Sequence, residues 1–132
     1  MKNLITAIKA SFDASPVPAE VAGLFYAPAP EKTAFPFMTF QLVTDTPTWK
    51  SFGDTPESAL VQFSIWSTSE SPTEACTIAV DVREWLDSIT LTITGASLIS
   101  AEWESDNIIA DPDGGFAYHI DYRFNIQKIQ GD

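Results

Sequence analysis

The chain has 132 residues, 45% of them apolar and 12% aromatic, which excludes a disordered composition and allows a core without staples. Seven Lys and Arg stand against 18 Asp and Glu, and the net charge of −11 disfavours tight binding to nucleic-acid phosphates or to an anionic membrane. A single cysteine, Cys76, excludes an internal disulfide framework, and no apolar run approaches the ~20 residues of a membrane-spanning helix.

The spacing of Leu4, Ile5, Ile8 and Phe12 predicts a first helix from Lys2 to Phe12, ended by Pro16 and Pro18. Lys9, Ser11 and Asp13 interrupt this apolar face, so it reads as a folded helix and not as a signal peptide. Residues 13–36 carry five prolines and read as irregular, with a short helical or extended piece around Glu20 to Tyr26. Leu24, Phe25 and Tyr26 are too apolar to lie loose in water, and are expected to pack on the sheet or on a partner.

Met38, Phe40 and Leu42 alternate with polar residues and predict a strand. A loop follows by its Pro, Gly, Asp and Ser content, yet it holds Trp49 and Phe52. "ALVQFSIWST" predicts a second strand with Ala59, Val61, Phe63 and Ile65 on one face. Its other face, with Leu60 and Trp66, is also partly apolar, which places it centrally or at an interface.

The stretch "SESPTEACTIAVDVREWLDS" reads as a capping box, with Ser71 at N-cap, Pro72 at N1 and Glu74 at N3, opening a helix over 72–87. Ala75, Ile78, Ala79, Val82, Trp85 and Leu86 form its dry stripe, and Cys76 reads as core. "ITLTIT" predicts a short strand, and "SLISAEWES" another with Ile99, Ala101 and Trp103 on one side. Asp113–Gly114 supplies turn chemistry. The last strand alternates Phe116, Tyr118, Ile120, Tyr122, Phe124 and Ile126 with polar residues and runs to Ile129. At ~3.3 Å per residue it is about 45 Å long, more than two helices of this size cover.

The order α-β-β-α-β-β-β predicts an α+β fold over residues 1–132 as one domain: a largely antiparallel sheet of about five strands with two helices packed on one face.

Catalytic motifs are absent from the sequence: there is no phosphate loop, no nucleophile elbow, no dinucleotide fingerprint and no His/Cys ligand cluster. Glu102 and Glu104 share a strand face and, backed by Asp106, make the best cation candidate, though such sets are mostly solvated faces. Asp111 and Asp113 resemble the start of a calcium loop but lack its later ligands, so a hairpin turn is favoured. The lone His119 sits on the polar face of the last strand, and Arg123, next to Asp121 on that face, reads as a cross-strand charge partner.

The ordered set of "NLITAIKASF", "YAPAPEKTAFPFMTFQLVTDTP", "VQFSIWSTSESPTEACTIAVDVREWLD" and "DPDGGFAYHIDYRFNI" resembles the tail-completion, or tail-terminator, proteins of long-tailed bacteriophages and related prophage particles. The resemblance implies a structural virion tail protein with no catalytic residues, cofactor or metal. It implies a homo-oligomeric ring, usually a hexamer, on the head-proximal end of the tail tube. Such a ring stops tube polymerisation and docks the head's connector proteins, while DNA passes through the lumen without specific binding.

The interface candidates are Trp49 and Phe52 in the loop, Phe124, Ile126 and Ile129 in the last strand, and Phe25 and Tyr26. A head–tail stopper or tube protein is the alternative within the same setting. A metal-dependent enzyme using Glu102, Glu104 and Asp106, or an acidic DNA mimic, are the alternatives outside it.

Overall fold

The computed structural model describes residues 2–47, 56–112 and 114–128. Trp49, Phe52 and Ile129 therefore lie outside the described residues. The elements are α1 (Lys2–Ala14), a 3-10 turn (Val17–Ala19), β1 (Leu24–Tyr26), β2 (Phe37–Pro47), β3 (Pro56–Ser67), α2 (Thr73–Asp87), β4 (Ala96–Ala110) and β5 (Phe116–Lys128). The strands form one mixed sheet in the order β1-β2-β3-β5-β4. Every pairing is antiparallel except β1 with β2. The expected α+β architecture is present, with both helices on one face of the sheet.

The core follows from the two periodicities. Leu4, Ala7, Ile8 and Phe12 of α1 meet Ala75, Ile78, Ala79, Val82, Trp85 and Leu86 of α2 over the inward residues of β3 and β5. Those inward residues are Ala59, Val61, Phe63 and Ile65, and Ile120, Tyr122, Phe124 and Ile126. Trp85 joins the layers: its ring meets Phe12 at 5.8 Å and Phe63 at 5.9 Å, and its Nε1 donates to Ser11 Oγ at 2.9 Å. β3 is central, which explains its two partly apolar faces.

Residues 24–26 take the extended alternative and join the sheet as a parallel strand, tied by Met38 N–H to Gly23 O and Ala27 N–H to Phe40 O. Four local expectations are corrected. "ITLTIT" forms no strand, only a bridge from Ile93 to Ala96. Ile89, Leu91 and Ile93 still pack on the core, and alternation alone does not distinguish an extended covering segment from a paired one. The capping box does not close, because the Glu74 carboxylate accepts from Ser67 Oγ at 2.6 Å and Ser71 Oγ accepts weakly from Thr73 N–H at 3.3 Å. Cys76 is exposed, one helical step past Ala75 and outside the dry stripe. The long last strand does not overhang the sheet: β5 pairs with β3 over Phe116–Gln127 and with β4 over its whole length.

The turn from β4 to β5 closes with Asp111 N–H to Gly115 O and Gly114 N–H to Asp111 O, both 2.9 Å. Gly114 and Gly115 have φ of 104° and 84°. A Cβ on Gly114 meets open space, whereas one on Gly115 lies 1.9 Å from the Ser67 carbonyl oxygen. Alanine at Gly114 is therefore expected to cost about 1 kcal/mol from the left-handed backbone alone, and at Gly115 clearly more. Urea denaturation of the two variants checks this, and equal losses would mean that β3 does not hold the turn.

Candidate interaction surfaces

Away from the Phe37–Trp66 stack, the sheet face opposite the helices is mostly polar and knitted. Gln41 Nε2 donates to Gln62 Oε1 at 3.4 Å, Gln62 Nε2 to Asp121 Oδ1 at 3.1 Å, and Ser105 Oγ to Asp121 Oδ2 at 3.0 Å. Arg123 pairs with Glu104 of β4 at 2.6 Å, the expected cross-strand charge pairing, and donates to Ser58 Oγ at 2.7 Å. Asn125 donates to Ser100 Oγ at 2.9 Å, and Ser64 Oγ and His119 Nδ1 share a 2.7 Å bond. Cross-strand pairs of this kind each contribute a few tenths to about 1 kcal/mol and fix register.

β4 departs from simple alternation at two bulges, between Leu98 and Ser100 and between Trp103 and Ser105. The second bulge splits the acidic trio. Glu102 stands opposite Arg123 on the open face, and Glu104 occupies the bulge bonded to Arg123. Asp106 falls opposite Ile120 and turns to the helix side. There it accepts from Tyr118 OH at 2.8 Å and from Trp103 Nε1, with Arg83 at 3.9 Å. The three carboxylates thus converge on no common point, and no group of three ligand-type residues among the described residues is placed to hold a metal.

Arg83 of α2 organises that helix-side cluster. Its guanidinium lies 4.7 Å from the Trp103 ring centre, its Nε donates to Tyr122 OH at 2.9 Å, and that hydroxyl donates to Asp87 at 2.5 Å. Burial and the bond to Asp106 push the Tyr118 phenol up to about 12, and burial with the bond to Asp87 raises Tyr122 further. Both phenols stay protonated and act as fixed donors.

The remaining candidates fall on different parts of the molecule. Phe25 and Tyr26 line a groove of about 610 Å³ between α1 and β1, with Ile5, Lys9, Pro28 and Phe40. Tyr26 is 44% exposed and its hydroxyl accepts from Leu42 N–H at 3.1 Å. Phe124 and Ile126 are only 0% and 3% exposed, because the chain's own helices cover their face. Their side chains belong to the core and offer no surface. Sequence reasoning missed the exposed residues Ile99, Trp103, Ile108 and Ile109 of β4. The signal was the mixed apolar and acidic run 99–109 with no clean period after Trp103.

The sequence profile described as "Tail completion protein gp17" matches residues 2–127, so the chain belongs to that family. One similar solved structure is a chain of the virion of a native gene transfer agent particle. It is 13% identical, with a TM-score of 0.77 and 92% of each chain covered, which shows a shared fold. No curated protein matches the sequence significantly.

Burial holds His119 below the usual histidine range, against a smaller opposing pull from Asp121. The folded state therefore binds fewer protons than the unfolded one just below the ordinary value of 6.5, and stability falls as pH drops through that window. The wild type is expected to lose more melting temperature between about pH 7 and pH 5 than His119→Gln. Parallel losses in a melting series would mean that His119 charges freely within the fold.

Proposed function

We propose that this tail completion family member ends the tail tube as a ring at its head-proximal end. In this reading it is a non-enzymatic structural protein of the virion tail that assembles with other tail and neck components. The ring, a hexamer as in the sequence-based expectation, stops tube polymerisation and presents a docking surface to the head's connector proteins. The family match over residues 2–127 carries the reading.

Two features of the molecule support it. Among the described residues the sheet leaves an edge open at β4, and an open strand edge favours contact with another chain. The sheet's open face carries Glu102, Glu104 and Asp121, while its Arg123 is already paired with Glu104. Turned to the lumen, such a face lets DNA pass without sticking, because adhesion to phosphates requires available cations. Phe25 and Tyr26 at the opposite rim are the subunit-contact candidates retained from the sequence, and Trp49, Phe52 and Ile129 stay candidates outside the described residues.

Light scattering of the purified protein, alone and with its tail-tube protein, tests the proposal. A hexamer is expected, or a monomer that joins only tube ends and halts growth. A monomer indifferent to tube protein would falsify it. Tyr26→Ala is expected to weaken assembly by about 1–2 kcal/mol per contact while leaving the far-ultraviolet spectrum unchanged. An unfolded variant would show that Tyr26 serves the chain's own core instead.

A further inference from the structure

The two edges of the sheet are treated differently. On one side β1 is only three residues long, and the Lys9 amine donates to its Leu24 carbonyl. Beyond β1, the Tyr26 hydroxyl takes the Leu42 amide, and β2 bulges at the next residue, between Leu42 and Thr44. Short length, an edge lysine and a bulge are the devices that stop a strand edge from pairing. On the other side β4 is outermost, with no element beyond it among the described residues. Its two bulges protect its first part only. From Ser105 to Ala110 its pairing with β5 is regular, and every residue is exposed except the half-buried Asp106. Ile108 and Ile109 are 40% and 50% exposed and, being adjacent, present one apolar side chain to each face.

We propose that Ser105–Ala110 is a strand-addition site for an extended segment of a different protein, apolar at alternate positions and basic at its ends. A regular edge points alternate N–H and C=O groups outward, and an added strand replaces their water with ladder bonds. The occupant is not a second copy. The β1–β2 edge of that copy is closed by Lys9, Tyr26 and the bulge. Antiparallel pairing of β4 with itself about Ile108 sets Asp111 of one copy between Glu104 and Asp106 of the other. Lysines flanking a β-branched segment reverse the sign of that encounter. The proposal deepens the tail reading by giving the chain a site for one of its non-self neighbours.

The test uses the full chain and two synthetic peptides, KTVTVTVK and ETVTVTVE. Hydrogen–deuterium exchange reads protection of the amides in 105–110, and polarisation of labelled peptide reads binding. The basic peptide is expected to bind and to slow exchange in that stretch at least about tenfold, and the acidic peptide to do neither. Ile108→Lys with Ile109→Lys is expected to abolish both effects at an unchanged melting temperature; should the pair unfold, Ile109→Lys alone replaces it. Three results overturn the proposal: no binding of the basic peptide, protection on the Lys9–Tyr26 rim instead, or 105–110 already protected in a free protein whose mass shows self-association. Tube capping by the wild type is scored separately. A chain that caps tubes but gains no protection in β4 keeps the tail function and loses this site, and a chain that binds the peptide but ignores tubes does the reverse.

Discussion

The structure depends on β5 being paired along both edges. Its two-residue period commits Ile120, Tyr122, Phe124 and Ile126 to the helices and His119, Asp121, Arg123 and Asn125 to the open face. A slip of one residue against either neighbour would put these four polar side chains into the core, so the register is strongly specified. Both faces read it. On the open side Asp121 is gripped by Gln62 of β3 and Ser105 of β4, and Arg123 by Ser58 of β3 and Glu104 of β4. On the helix side the buried Tyr122 carries a hydroxyl that must find partners, and Arg83 and Asp87 of α2 supply them. The position of α2 along the sheet is thereby tied to the register of β5.

Elements governed by their own period were legible. The dry stripe of α2, the inward faces of β3 and β5, and the Leu4–Phe12 face of α1 stand where the spacing placed them. The misses are residues whose fate is decided by something distant in the chain. The extended alternative for Leu24–Tyr26 holds because β2 offers an edge, while Leu91–Ile93 join no strand and pack on the core instead. Glu74 leaves the helix N-terminus for Ser67, a partner at the end of β3. The bulges of β4 have no glycine or proline to mark them, so the lost period after Trp103 shows that alternation fails but not where the faces exchange. The candidate surfaces inherit this limit. Tyr26 was visible as an apolar residue in a proline-rich stretch, whereas Phe124 and Ile126 were assigned to a surface because the last strand reads as longer than two helices cover, and the helices do cover them.

The second β4 bulge does more than bend a strand. It moves Asp106 from the line of Glu102 to the helix side, where Tyr118, Trp103 and Arg83 take it up. What reads in sequence as a carboxylate cluster suited to a cation becomes two separate ion-paired groups, one on each face. The same bulge sets where the regular edge begins, at Ser105. One extra residue thus removes a possible metal site and opens a backbone surface beside it.

That surface raises the question of how the protein stays dispersed with an open, partly apolar strand edge. The other edge answers by closure, with Lys9, Tyr26 and the β2 bulge. β4 answers by charge: Glu102 and Glu104 sit just ahead of the regular stretch and Asp111 just after it, on a chain already at −11. Carboxylates flanking this stretch disfavour pairing of β4 with β4 of another copy but leave the ladder groups available to a strand of the opposite sign. A closed edge would have protected the protein equally well and bound nothing. An edge flanked by carboxylates disfavours its own antiparallel copy while staying open to a strand of the opposite charge.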